Sequence, residues 1–389
     1  MLEIIADIGR DSRTGGYRRY AWNDADMLLR EWFAGEAASR GMDLVEDGNG
    51  NQLAWWGTGR DALLVGSHLD SVPDGGAYDG PLGVVSSFAA VDALRAEGHV
   101  PSRPVVVGNF ADEEGSRFGI ACAGSQLVTG ALAPDRALAQ KDRDGVSMAE
   151  IMTARGRDPL AVGQADWLHD IGTFVELHVE QGRSLVHSDA AVGVATAIWP
   201  HGRWRLEFTG EANHAGATVM EDRHDPMQAY AATVLAARAL ATHAGARATF
   251  GRLHVEPGGT NAIPSRVRAW LDARACDERT LERLLDAIVA GGRRAAHADG
   301  TSVQCTAESV SPGVTFDAAL RNRLADLLDA PVLPTGAGHD AGVLSSHVAT
   351  AMLFVRNPSG VSHSPAEHAE DSDCAMGVEA LTKVLAELT

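Results

Sequence analysis

Four short runs of almost unbroken apolar residues constrain this 389-residue chain more than any other feature: 62–69 (ALLVGSHL), 104–110 (PVVVGNF), 173–179 (TFVELHV) and 348–355 (VATAMLFV). Each is far shorter than the roughly 20 residues a membrane helix needs. They read as buried strands of a sheet covered on both faces, with helices between them. The helix after the first run is well signalled. Pro81 lies near its start, Val84, Val85, Phe88, Val91 and Leu94 form its apolar stripe, and Gly98 ends it. Upstream, residues 17–42 read as an amphipathic helix with Met27, Leu28, Trp32 and Phe33 among its apolar positions, and Trp55 and Trp56 read as strand residues.

The stretch 198–311 follows another pattern. Trp204, Leu206 and Phe208 alternate like a half-buried strand. An Ala-rich helix follows at 225–243. Strands at 249–255 and 267–273 come next, joined by the turn-forming EPGGTNAIPS, then a helix at 281–298 and a strand at 301–307. The order is β-α-β-β-α-β, the split ferredoxin-like arrangement. The expectation is therefore an α/β fold: residues 1–197 and 312–389 form a mixed sheet flanked by helices, with the ferredoxin-like domain 198–311 inserted.

Composition bounds the partners. The formal charge is −19, from 52 acidic against 33 basic residues. That disfavours nucleic acid and anionic membranes, which reward basic patches, but leaves room for a small anionic substrate met by a few local Arg. Cys122, Cys276, Cys305 and Cys374 are scattered, with no C-x-x-C pair. They suggest neither a disulfide framework nor a thiolate metal site, and suit a reducing cytoplasm. The N-terminal residues lack the apolar core of a signal peptide.

Polar groups cluster where the apolar runs end. His68 closes the first run, with Asp70 and Asp79 following on glycine-rich loops. Asp70 is placed to accept the second imidazole N–H and so fix the tautomer of His68. Asp112, Glu113 and Glu114 follow the second run. Three adjacent acids repel one another, so in a packed site they call for cations, whereas on the surface they would be an ordinary acidic turn. In the third run, period two puts Glu176, His178 and Glu180 on one face of an otherwise apolar strand. His363 and Glu367 lie in the loop beyond the fourth. Singly, each cluster has a bland reading as a polar turn, a core histidine or a solvated loop. Together, four strand ends deliver His and carboxylate groups to what can be one edge of one sheet, where open α/β sheets place their ligands. Oxygen and imidazole donors without thiolate suit Zn²⁺, Mn²⁺, Co²⁺ or Ni²⁺. Five such ligands with one shared carboxylate suit two metals roughly 3.5–4 Å apart.

The strings GSHLDSVPDGGAYDGPLGV, DEEGSRFG, ELHVEQG, NHAGATVMEDRHDP, GGTNAIPSRV, LDAR, TGAGHDA and VSHSPAEH resemble those of the peptidase M20 group of binuclear metallohydrolases. Within that group they resemble the branch of N-carbamoyl-L-amino acid amidohydrolases, allantoate amidohydrolases and β-ureidopropionases. The resemblance implies that His68 and His178 bind one divalent ion, Glu114 and His363 a second, and that Asp79 bridges them. It implies Glu113 as general base, Asp70 as the group that orients His68, and His214 as oxyanion donor, often from the partner subunit of a homodimer formed through the inserted domain. It implies Gln181, Asn261, Arg274 and His339 as substrate contacts, Arg274 reading a carboxylate, and leaves Asp340 without a role. The family often carries a cis peptide after the bridging Asp, which makes Asp79–Gly80 a candidate. The implied reaction is hydrolysis of the ureido group of an N-carbamoyl-L-amino acid, favoured by DRHDPM after NHAGAT. Allantoate amidohydrolase and β-ureidopropionase are the alternatives. An N-acyl amino acid hydrolase and a catalytically silent ligand-binding relative stand further off.

Overall fold

The computed structural model describes residues 2–389, which fold as two compact units: Met1–Ala197 with Thr315–Thr389, and Ile198–Val314. In chain order the strands are β1 (Asp43–Glu46), β2 (Gln52–Trp56), β3 (Ala62–His68), β4 (Val105–Phe110), β5 (Ile171–Val179), β6 (Val192–Ile198), β7 (His201–Thr209), β8 (Asn213–His214), β9 (Arg247–Glu256), β10 (Ala262–Ile263), β11 (Arg266–Arg274), β12 (Ser302–Ser311), β13 (Val314–Thr315), β14 (Val332–Thr335) and β15 (Ala349–Val355).

The first unit is built on a nine-stranded mixed sheet of order β1-β2-β4-β3-β5-β15-β6-β13, with β14 paired to β6. The four apolar runs are its four central strands, β4-β3-β5-β15. Their three pairings are all parallel, so their C-terminal ends share one edge. β3 and β4 are buried throughout and β5 almost so, as strands covered on both faces must be. Helix Pro81–Ala96 makes the crossover from β3 to β4. It starts at Pro81 after Gly80, whose φ of 86° reverses the chain. It presses Gly83 so close to Leu177 and Ser67 that a Cβ there would collide with the Leu177 carbonyl.

Two local expectations are corrected. The first helix runs Asp24–Ser39, not 17–42. Trp22 sits at φ 64°, outside helical geometry, and the Asn23 side chain caps the helix by accepting the Asp26 N–H. Residue 17 instead pairs with the loop after β3: Tyr17 N–H donates to Gly75 O at 3.0 Å, and Gly75 N–H returns a bond at 3.2 Å. The Asp79–Gly80 bond is not cis. Among the described residues the cis peptide bond is Glu256–Pro257, and Gly80 makes its turn through positive φ.

The second unit is an antiparallel sheet of order β12-β7-β11-β9, with helices Pro226–Ala244 and Glu278–Ala298 inserted in the sequence order β-α-β-β-α-β. Trp204, Leu206 and Phe208 of β7 and Val267 and Leu271 of β11 point one way and pack with Ala229, Ala237, Leu284 and Ile288 of the helices. The intervening residues of β7 and β11 lie on the opposite, less buried face. Among the described residues no helix is long and apolar enough to cross a membrane.

Candidate metal centre

The chain reversals after β3, β4, β5 and β15 carry the site. His68, the last residue of β3, and His178, near the end of β5, are fully buried, their rings stacked with centroids 5.8 Å apart. Backbone oxygens face the Nδ1 atoms: Asp70 O lies 3.2 Å from His68 Nδ1 and Val179 O 2.9 Å from His178 Nδ1. Both Nε2 atoms therefore turn inward, towards Asp79 Oδ1, at 3.6 Å for His68 and 3.1 Å for His178. Gly80 makes this possible, since a Cβ there would overlap the His68 ring. The other oxygen of Asp79, Oδ2, lies 3.4 Å from His363 Nε2, which stands 3.7 Å from Glu114 Oε2. Two potential ligand groups result, His68–Asp79–His178 and Asp79–Glu114–His363, each with donor atoms within 4.8 Å of one another, and Asp79 belongs to both.

Asp70 ties this edge together. Its carboxylate accepts the backbone N–H of Glu113 at 3.1 Å and of Glu114 at 3.0 Å, and stands 3.4 Å from His68 Nδ1. One side chain after β3 thus fixes both the first imidazole and the acidic loop after β4. Glu113 Oε2 comes to 3.7 Å from His68 Nε2, while its Oε1 accepts from the Cys122 thiol at 3.3 Å. Asp79 Oδ2 also accepts from Gln181 Nε2 at 2.9 Å and Ser362 Oγ at 3.0 Å.

The electrostatics fit a cationic occupant. Burial pushes the Glu113 carboxyl well above the usual range; His68 opposes this and Glu114 adds to it. Burial, then Asp79, pushes Glu114 up to about 8. Burial also works against the charge of Asp79, but His178 and His68 outweigh it and hold that carboxyl well below its ordinary value. His68 and His178 Nε2 are buried yet have no hydrogen-bond partner of acceptable geometry. Buried imidazole nitrogens aimed at a shared carboxylate, beside acids whose charge burial disfavours, form a donor set that divalent cations would satisfy.

Behind His178 lies His339, buried, with ring centroids 4.5 Å apart and neither ring nitrogen hydrogen-bonded. Burial first, then His178, depresses its pKa well below the ordinary value, so it is a neutral imidazole. Glu176, His178 and His339 form a third close group, but both Glu176 oxygens are taken, by Ser67 Oγ at 2.8 Å and the Ala341 N–H at 3.0 Å. Asp340, for which the sequence suggested no role, accepts from Ser125 Oγ. Glu180 lies just beyond β5 and accepts the N–H groups of Ser184 and Leu185, starting the short helix Ser184–His187.

The second unit brings two of its own sequence-predicted residues together. β8 pairs with β10, with His214 opposite Ala262, and the Ala215 N–H donates to Asn261 O at 3.0 Å. His214 Nδ1 accepts the N–H groups of Gly216 at 3.0 Å and Ala217 at 3.1 Å. The neutral ring therefore carries its proton on Nε2. Arg274, at the end of β11, is held by Asp272: Nε donates to Oδ1 at 2.8 Å and Nη2 to Oδ2 at 3.1 Å.

A family profile described as Peptidase family M20/M25/M40 matches residues 64–387, and this match spans every ligand candidate. The chain belongs to the peptidase M20 family. It is 37% identical over 396 residues to an N-carbamoyl-L-amino acid amidohydrolase of Geobacillus stearothermophilus, an alignment covering 98% of this chain and 95% of the relative. It is 32% identical over 405 residues to an allantoate amidohydrolase of Bacillus subtilis, covering 100% and 96%. A crystal structure of an amidase of the hydantoinase/carbamoylase family from Burkholderia multivorans superposes with a TM-score of 0.88 at 29% identity, covering 100% of this chain and 96% of that one. The protein is thus an M20 hydrolase acting on amide or ureido C–N bonds, of the carbamoylase and allantoate amidohydrolase type.

Proposed function

We propose that this enzyme hydrolyses the ureido group of an N-carbamoyl-L-amino acid, consuming one water and releasing the amino acid, ammonia and carbon dioxide. The observation that carries the proposal is the division of Asp79, with Oδ1 towards His68 and His178 and Oδ2 towards His363, beside a buried Glu113. His68 and His178 would hold one divalent ion (Zn²⁺, Mn²⁺, Co²⁺ or Ni²⁺), Glu114 and His363 another, and Asp79 both. Such a pair supplies the charge that acidifies water and polarises a carbonyl. Glu113 takes the proton of the attacking water and delivers it to the departing nitrogen. His214 presents Nε2–H to the carbonyl oxygen as negative charge develops there, a contribution of several kcal/mol in comparable sites. Gln181 and Asn261 orient the ureido group, His339 lines the pocket as a neutral ring, and Arg274 binds the carboxylate through its planar fork.

The 37% identity to a carbamoylase supports this substrate class. Allantoate and N-carbamoyl-β-alanine are the alternatives, because each also joins a carboxylate to a ureido group. We further propose a cytoplasmic homodimer formed through the Ile198–Val314 unit, with His214 serving the partner subunit. The exposure of His214 and the four free cysteines support that setting. The test is one metal-loaded preparation offered N-carbamoyl-L-amino acids, allantoate, N-carbamoyl-β-alanine and N-acetyl amino acids. The proposal requires the highest kcat/KM on an N-carbamoyl-L-amino acid. Preference for allantoate or an N-acetyl substrate would overturn it.

A further inference from the structure

We infer that Glu367 is a positioning residue that sets the carboxylate of Asp79 for cation binding. The inference rests on the metal reading above. Glu367 is only 5% exposed, although its loop, which also carries His363, is largely solvated. Its Oε1 accepts two consecutive backbone N–H groups, Tyr78 at 2.9 Å and Asp79 at 2.9 Å. Four residues earlier in chain order His363 faces Asp79 Oδ2, and Ser362 Oγ donates to that same oxygen at 3.0 Å. One loop therefore grips Asp79 twice, by its backbone through Glu367 and by its side chain through Ser362, while presenting its own imidazole to it.

The fit on the other side is tight. Gly76 lies against the Glu367 side chain so closely that a Cβ would overlap its carboxylate. Glu367 Oε2, by contrast, is buried with no hydrogen-bond partner. The side chain is thus used as a two-bond acceptor at one oxygen, and an amide oxygen can do the same. A carboxylate kept only for local stability has no reason to pin the residue shared by both ligand groups. Because Asp79 belongs to both ligand groups, displacing it would disturb both together.

The test compares Glu367→Gln, Glu367→Asp and Glu367→Ala with the wild type in the full-length protein. Metal content after loading with Zn²⁺ or Mn²⁺ is measured, affinity is measured by competition with a chromogenic chelator, and circular dichroism checks the fold. Groups that orient metal ligands typically contribute roughly 10–100-fold in metal affinity. The expected result is such a loss in the Ala and Asp variants, the latter one methylene too short, with near-wild-type affinity in the Gln variant. A folded Ala or Asp variant that binds metal as tightly as wild type would overturn the inference, as would a Gln variant as weak as Ala. If Ala does not fold, Asp against Gln decides. A wild type that takes up no cation would instead reject the metal reading itself.

Discussion

Replacing Asp70 tests whether one side chain organises this edge of the sheet. Its two carboxylate oxygens accept the buried N–H groups of Glu113 and Glu114 separately, at 3.1 and 3.0 Å, and the carboxylate faces His68 Nδ1 at 3.4 Å. Asp70→Ala strands two donors. A buried donor left without a partner costs about 1–3 kcal/mol, so the expected loss in unfolding free energy is about 2–6 kcal/mol. Asp70→Asn keeps one acceptor but turns an NH₂ towards the other donor, so about half that loss is expected. Because the loop then carries Glu113 and Glu114 less firmly, metal affinity and kcat should each fall by roughly 10–100-fold even in the folded Asn variant. Urea unfolding of chelator-treated protein isolates the stability effect, and metal competition with steady-state kinetics measures the rest. An Asn variant with the wild-type urea midpoint and metal affinity would show that the loop after β4 holds its shape without Asp70.

Glu113→Gln should retain two metal ions per chain yet lose about 10²–10⁴-fold in kcat, as an amide cannot take up the proton; near-normal turnover would place the base elsewhere. Arg274→Lys keeps the charge but loses the fork, so kcat/KM for a carboxylate substrate should fall about tenfold to a hundredfold, given about 1.5–3 kcal/mol for a charged hydrogen bond; an unchanged value means another group reads the carboxylate. Asp272 is partly buried, which raises its pKa, but Arg274 and Arg203 more than offset this and leave it below the ordinary value. A depressed carboxyl stabilises the fold above its unfolded pKa near 4, and that contribution disappears as pH falls through the lower, folded value. Asp272→Asn should therefore flatten this acid limb in a pH series of thermal unfolding, and an unaltered limb would argue against the pair. Mixing inactive His214→Ala subunits with inactive Glu113→Gln subunits should restore partial activity if His214 acts across a dimer, and none if it serves its own subunit.

The parts of the fold legible in the sequence are those whose cause is local. The strands β3, β4, β5 and β15 are buried on both faces, so their composition announces them, and parallel pairing then brings His68, Glu113, Glu114, His178 and the His363 loop to one edge. The pattern carries the first helix too far upstream because Tyr17 is drawn to Gly75 by tertiary bonds and the Trp22 N–H is taken locally by the Asp26 side chain in the helix's first turn. Period two grouped Glu180 with Glu176 and His178, but the strand ends at Val179 and Glu180 serves a helix start. The role of Glu367 needed the three-dimensional loop, since the residues it binds lie almost three hundred positions away. The Asp272–Arg274 pair was within reach: two positions apart on a strand, both point to one face, so LDAR itself predicts the contact.

That contact bears on how a negatively charged enzyme takes up a negatively charged substrate. The chain carries −19 overall, yet residues 198–314 hold 13 Arg and no Lys against 13 Asp and Glu, so the whole excess of negative charge belongs to the other unit. The Ile198–Val314 unit is the better place for an anion to be bound, and within it the less buried sheet face presents Arg203, Arg205, Arg266, Arg268 and Arg274 on β7 and β11. A guanidinium left unheld on a flexible stem would have to be ordered at each binding event. If Arg274 reads the carboxylate as proposed, Asp272 removes part of that cost by holding the guanidinium through Nε and Nη2, and Asp272 is itself faced by Arg203 at 3.6 Å. Pre-orientation of this kind raises affinity by reducing what must be immobilised on binding. Asp272→Ala should therefore raise KM for the carboxylate substrate even though it deletes a negative charge beside Arg274, whereas simple charge counting predicts that KM falls. The sign of that change, measured at constant ionic strength, separates a pre-oriented fork from a bare positive charge.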